Sequence, residues 1–167
     1  MPSAFPYPCL ASNVSIRMVN GLATIKPIAL TGLTGATGTL DGTVEYSLEP
    51  GGNYAPHINI HAQNVPVDDF LIDALPQGAA LGHAALPQSP AQMLRKLNIR
   101  GAVSCDAQIG PRPGNGVGFD VKVGIEHLTA APAPDLRFDD VTGSLEVTNT
   151  ALRIDRIDGL VGGQPFT

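Results

Sequence analysis

The sequence predicts a mostly β protein: one antiparallel meander sheet, curved or folded over an apolar face in a β-taco-like shape, with two short helices inserted mid-chain. Three observations predict it. The 167 residues include 19 Gly and 15 Pro but only 15% charged and 5% aromatic residues, so the chain is cut into short apolar pieces separated by turns, as many short strands require. Within those pieces apolar and polar residues alternate, which gives each strand one dry face and one wet face. The close of the chain also replays its opening. Slid back by 129 positions, Ser144, Asn149, Ile154 and Ile157 fall on Ser15, Asn20, Ile25 and Ile28, and Leu145 and Val147 meet Ile16 and Met18. Such an offset marks one structural unit plus the start of a second, so the chain reads as a segment of a longer array.

Taken in order, Val14, Ile16 and Met18 alternate with Ser15 and Arg17 and run into Asn20-Gly21, a pair that supplies the positive φ angles of a type I′ hairpin turn. The returning strand covers 22–30. Inside it Ile25-Lys26-Pro27-Ile28 breaks the two-residue period, and Pro27 has no N–H to donate, so a bulge or an exposed edge is expected. Ile154-Asp155-Arg156-Ile157 repeats the break without the proline. Glycines at 32, 35 and 38 suggest a phosphate-cradling loop, but no Gly-Lys-Ser/Thr ending or helix follows, and the stretch reads as a turn. Val44, Tyr46 and Leu48 form the next strand, 50–53 turns it, and Ile58, Ile60 and Ala62 return.

The period then changes. Val67, Phe70, Leu71, Ala74 and Leu75 share one helical face, with Asp68 and Asp69 at the positive helix start and Pro76 beyond the end. Ser89-Pro90 is a cap followed by proline at the first helical position; it opens a helix over 91–97 with Met93, Leu94 and Leu97 in one stripe. Strands at 103–109 and 119–125 flank a Gly/Pro-rich turn, and 141–147 with 152–157 restart the opening pattern. The count is about eight strands. The whole chain, 1–167, forms a single β-rich segment: a first strand group at 1–63, a helical excursion at 64–98, a central hairpin at 99–131, and the start of a second repeat at 132–167. A chain of this size buries roughly 68–70% of its unfolded surface if it closes as a globule.

Composition excludes several functions. Net charge is −5 and the three lysines, Lys26, Lys96 and Lys122, are scattered, so no surface is prepared to neutralise phosphates and nucleic acid is not an expected partner. No apolar run approaches the 18 or so residues needed to cross a bilayer, and residues 1–10 lack a charged stretch leading into an apolar one. A transmembrane anchor or targeting segment is therefore not expected in this piece. Cys105 falls in the alternation Val103, Cys105, Ala107, Ile109 and is read as a small inward-facing hydrophobe; whether it bridges to Cys9 stays open.

No catalytic constellation is visible. His57, Asn59 and His61 share a strand face, but at about 3.3 Å per residue the two histidines stand roughly 13 Å apart, too far for one metal. Adjacent carboxylates point in different directions, so Asp68-Asp69 is assigned to helix-start electrostatics and Asp139-Asp140 to a loop before a strand. Asp155-Arg156-Ile157-Asp158-Gly159 is a degenerate echo of a calcium loop with too few oxygens. His83 lies in an Ala/Gly-rich linker, and neither G-x-S-x-G nor H-E-x-x-H occurs. The expectation is a protein that is not an enzyme, with no catalytic residue, metal or cofactor.

The positive signal is a set of aligned apolar residues: Val44, Tyr46 and Leu48; Ile58 and Ile60; Val103, Ala107 and Ile109; Phe119, Val121, Val123 and Ile125. They are the candidate lining of an apolar ligand groove. The plain alternative is an ordinary sandwich core, which would suit an extracellular β-sandwich module for adhesion or carbohydrate binding. Such a module wants aromatic platforms, and only Tyr7, Tyr46 and Tyr54 and no tryptophan are present.

Two passages carry a family resemblance. Asn64-Val65-Pro66-Val67-Asp68-Asp69 passes from a strand end into a short helix, and Phe138-Asp139-Asp140-Val141-Thr142-Gly143-Ser144-Leu145-Glu146-Val147 leads through Ala151-Leu152-Arg153-Ile154 to Gly159, Gly162 and Gly163. In order and spacing these passages, about a third of the chain, resemble AsmA-like proteins and the related TamB-like proteins. The resemblance implies a long folded β-sheet with an apolar trough, anchored at the inner membrane of a diderm bacterium and lying in the periplasm. It further implies a conduit for phospholipid or another acyl-chain lipid, or a part in outer-membrane biogenesis, with neighbouring repeats of the same chain as partners. No catalytic residues come with it.

Overall fold

The computed structural model describes residues 7–49, 52–75, 80–81, 84–85, 89–112, 116–148 and 150–167. Its frame is one open, curled antiparallel sheet. The strands are β1 (Cys9–Ser12), β2 (Ile16–Val19), β3 (Leu22–Gly32), β4 (Thr37–Tyr46), β5 (Tyr54–Pro66), β8 (Arg100–Arg112), β9 (Gly116–Ala133), β10 (Leu136–Thr148), β11 (Leu152–Val161) and β12 (Gln164–Phe166). Between β5 and β8 lie α1 (Asp69–Ala74), a two-stranded ladder of β6 (Ala80–Leu81) and β7 (Ala84–Ala85), and α2 (Pro90–Leu97). The order across the sheet is β1-β3-β4-β5-β8-β9-β10-β11-β12, with β2 pairing β3 beside β1. Every strand after β2 thus pairs with the next main-sheet strand in sequence, the arrangement short connections favour.

The turn chemistry accounts for the first hairpin. Asn20 and Gly21 both take positive φ, 47° and 81°, the backbone that matches a right-handed strand twist. The break at Lys26-Pro27 is a bulge: β3 pairs Ile25 with Gly42 and Ile28 with Leu40, so two residues oppose Asp41 alone. Proline's missing donor is tolerated where the ladder is interrupted. Glycines 32 and 35 close the β3–β4 turn, with Gly32 N–H donating to the Ala36 carbonyl at 2.8 Å.

Both helices begin on caps. The Asp68 carboxylate accepts from the Leu71 N–H at 2.9 Å, and Ser89 with Gln92 forms a reciprocal capping box, which satisfies backbone donors that the first turn leaves unpaired. An Arg95–Asp73 ion pair links α2 to α1, and α2 packs on β9.

The structure departs from the sequence reading in several places. The main sheet has ten strands rather than about eight, because β1 and β12 are short edge pieces that alternation does not reveal. β9 and β10 run well past 119–125 and 141–147. Val14 and Leu48 lie outside strands, Leu48 in the turn after β4. Asp139-Asp140 is not a loop: it lies inside β10, where Asp140 has a φ of 53° at a register shift. The linker around His83 carries the β6–β7 ladder, though His83, Pro76 and parts of the 50–53 and 110–116 turns are outside the described residues.

Candidate functional site: a single-layer apolar trough

Strand register brings the apolar residues together in rows across the sheet. One row is Leu40, Ile60, Ala107, Val121, Val147 and Leu152, each paired with the next. A second is Ala62, Cys105, Val123, Leu145 and Ile154. On either side run Ile25, Gly42, Ile58, Ile109 and Phe119 and Val65, Val103, Ile125, Gly143 and Ile157. Ala23, Val44 and Pro56 extend the face towards Tyr46 and Tyr54, which oppose each other. Eleven of the twelve sequence-selected residues, Val44, Tyr46, Ile58, Ile60, Val103, Ala107, Ile109, Phe119, Val121, Val123 and Ile125, therefore share one face. Leu48, 75% exposed, stands apart from it.

This face is only partly covered. All eleven are intermediate in exposure, and among the described residues the buried apolar ones are few: Ala23, Ile28, Ala36, Pro56, Val65, Ile72, Ala74, Ala91 and Leu128. The helical pair accounts for much of that group. Ile72, Ala74 and Ala91 belong to the helices, α2 packs on β9, and Leu128 lies on β9 at 6% exposure. A bulge at His127, φ 54°, keeps Leu128 on the same face as Ile125, since their partners Val141 and Gly143 are two apart on β10. At the opposite end the curl leaves an open cavity of about 710 Å³, whose lining includes Leu22, Tyr46, Tyr54 and Val117 together with the charged Glu45 and Arg112. The total accessible surface, 10745 Å², exceeds the roughly 7,800 Å² expected for a compact monomer of this mass, and the described residues form one ten-stranded sheet with only a two-stranded ladder beside it.

The other face is polar and ordered by charge. Thr39, His61, Asp106, Lys122, Glu146 and Arg153 form a cross-strand row whose five titratable members alternate between basic and acidic. Opposite charges directly across an antiparallel pair contribute about 0.2–1 kcal/mol each, and they keep this side wet. The His61 ring is held laterally, Nδ1 against Asp106 and Nε2 against Gln63 at 2.9 Å. Its nitrogens are taken up within the sheet surface. Among the described residues no three His, Cys, Asp or Glu side chains come together as a metal-ligand set. The carboxylates of the calcium-loop echo are engaged by cations, Asp155 by Arg153 at 3.0 Å and Asp158 by Arg156. The Arg156 hydrogen bond, with one from Thr167, lowers the Asp158 pKa.

Cys9 and Cys105 are free thiols on non-adjacent strands. Burial in the trough floor, and then the Asp106 charge, push the Cys105 thiol above its ordinary pKa, which keeps it neutral and weakly nucleophilic. The His127–Asp140 pair escaped the sequence reading. Both residues are in the left-handed region at facing bulges, and hydrogen bonding to Asp140 with its charge raises the His127 pKa. The only available signal was residue type, since His, Asn and Asp enter that region more readily than most.

Fold and face together define the class: a one-layer, curled antiparallel sheet with a single apolar surface and a charge-ordered back. Neither a family model, nor a curated protein, nor a solved structure matches the chain.

Proposed function

We propose that this chain is a non-enzymatic segment of an AsmA-like envelope protein, lying in the periplasm of a diderm bacterium. Its apolar trough takes the acyl chains of phospholipid, for lipid transfer or outer-membrane biogenesis. One observation carries the reading. The row Leu40, Ile60, Ala107, Val121, Val147 and Leu152 runs unbroken across β4 to β11, on a face whose β9 strand is packed by α2 at one end. Each acyl CH₂ that leaves water for such a surface contributes about 0.8 kcal/mol without directional contacts, so a hydrocarbon tail is held and still free to slide. The sandwich alternative requires a second sheet about 10 Å away; the described residues hold one ten-stranded sheet and one two-residue ladder, which does not favour it.

Neighbouring repeats of the same chain are the second partner in this reading. It is supported by pairing registers that coincide at the 129-residue offset: Ile16–Ile25, Arg17–Thr24 and Met18–Ala23 map onto Leu145–Ile154, Glu146–Arg153 and Val147–Leu152. The test of the lipid reading is native mass spectrometry of the purified chain, with extraction and analysis of any bound lipid. Phospholipid bound at defined stoichiometry, and lost when Val121 and Val123 are both changed to Asp, is the expected result. A lipid-free protein that also fails to take up phospholipid from vesicles contradicts it.

A further inference from the structure

We infer that the gap between the tips of the β4–β5 and β8–β9 hairpins is a headgroup site for a zwitterionic phospholipid, with Arg112 taking the phosphodiester and Glu45 the ammonium. The gap follows from the register. β5 and β8 pair from Pro66–Ala102 to Ile58–Ile109 and no further, although β5 begins at Tyr54 and β8 continues to Arg112. In the continued register Pro56 would face Pro111, and neither has an N–H to give to a ladder. Each strand stays with its other neighbour instead: Tyr54 pairs with Tyr46 and Pro56 with Val44, while Pro111 pairs with Val117 and Arg112 with Gly116. The open cavity of about 710 Å³ lies between these tips, since residues of both line it.

An intact sheet keeps its two faces apart, because the backbone ladder lies between them. Where the ladder stops, one opening touches both. Strand alternation puts Tyr46, Tyr54 and Val117 on the trough face, in line with Val44, Pro56 and Phe119, and puts Glu45 and Arg112 on the polar face. All five of these end residues line the cavity. The arrangement suits an amphiphile whose tails lie along the apolar rows and whose headgroup emerges between the tips on the charged side.

The two charges have no partner within the sheet. Arg95, Arg137, Arg153 and Arg156 are each bound by an aspartate, whereas among the described residues neither Arg112 nor Glu45 forms an ion pair with the other or with any third group. Arg112 is nonetheless placed. A Cβ on Gly118 would lie 2.8 Å from its Cγ and Cδ, so the arginine stem lies across that buried glycine. A guanidinium presents a planar fork of donors that matches phosphate oxygens. Glu45 and the tyrosine rings of the same cavity offer an ammonium a counter-charge and aromatic faces. A headgroup with a phosphate and no cation would meet Glu45 uncompensated.

This inference rests on the acyl-trough reading, and its test separates the two. The chain is incubated with vesicles of phosphatidylethanolamine and phosphatidylglycerol in equal amounts plus a smaller share of diacylglycerol, all with the same acyl chains. Lipid removed by the protein is extracted and quantified against its share in the vesicle. The native chain should enrich phosphatidylethanolamine over both others by about tenfold, the size of one charge-assisted contact. Glu45→Gln should take the two phospholipids equally, and Arg112→Gln should lower uptake of both by about tenfold. Diacylglycerol, which has the tails and neither charge, should be taken up alike by all three proteins, showing that fold and trough are intact. A native chain that takes the three lipids in proportion to their shares overturns the headgroup site and leaves the trough standing; one that takes none overturns both. Variants that keep the native preference with unchanged diacylglycerol uptake also overturn the site.

Discussion

The two ends of the apolar face lie on the same strands but differ in what lies over them. At the helical end Leu128 is 6% exposed, and α2 packs on the strand that carries it. Along the open length Val121, Val123, Ile58 and Ile60 keep intermediate exposure, and at the far end Tyr54 is 61% exposed beside an open cavity. One apolar face therefore does two jobs. Where a second layer exists, apolar residues hold the fold together; where none exists, they remain available as a surface.

That contrast sets the order of expected effects. Leu128→Ala removes a buried side chain from β9, the strand on which α2 packs, and should cost about 2–5 kcal/mol by urea unfolding; a cost below about 1 kcal/mol would mean that this end is not sealed. Ser89→Ala deletes the capping box of α2 at a residue that is 1% exposed, with an expected loss of about 1 kcal/mol. If the cap matters only through the helix lid, lipid uptake along the open length should survive it. Val121→Ala, in the uncovered row, should cost less than about 1 kcal/mol because much of the side chain meets solvent in the folded state. A loss as large as that for Leu128 would show a hidden second layer.

The smallest effect is tied to pH. The folded His127 pKa is raised by Asp140, so the pair's stabilisation is fully present below the unfolded histidine value near 6.5 and is lost as pH rises through the raised folded value. Thermal midpoints of the native chain and His127→Gln should accordingly differ more at pH 5.5 than at pH 8.5. A difference that grows with pH would reverse the assignment.

The sequence carried the architecture where local chemistry decides it. Asn20-Gly21, the Ile25-Lys26-Pro27-Ile28 break, the Ser89-Pro90 cap and the period-2 rows are each set by a few neighbouring residues, and eleven of the twelve residues selected from alternation lie on one face, beside Leu40, Ala62, Leu145, Val147, Leu152 and Ile154, which were not selected. Leu48 was misplaced because alternation continues to the eye past Tyr46, while the chain turns so that Ser47 N–H reaches the Asn53 carbonyl at 3.0 Å. The bulges at His127 and Asp140 depend on how β9 registers against β10, which no single strand records. The charge row from His61 to Arg153 was invisible for the same reason: its members are far apart in sequence and meet only through register.

Cys105 lies on the floor of the trough and Cys9 on the exposed edge strand β1, so the native chain carries its own probe and reference. The most direct measurement is the alkylation rate of each thiol by a small maleimide, without and with phospholipid vesicles. An open face predicts that Cys105 reacts slowly but measurably in the lipid-free chain and becomes at least tenfold slower with lipid, while Cys9 is unchanged. A Cys105 thiol inert until unfolding, or one that reacts at the same rate with and without phospholipid, would contradict an acyl-accessible trough.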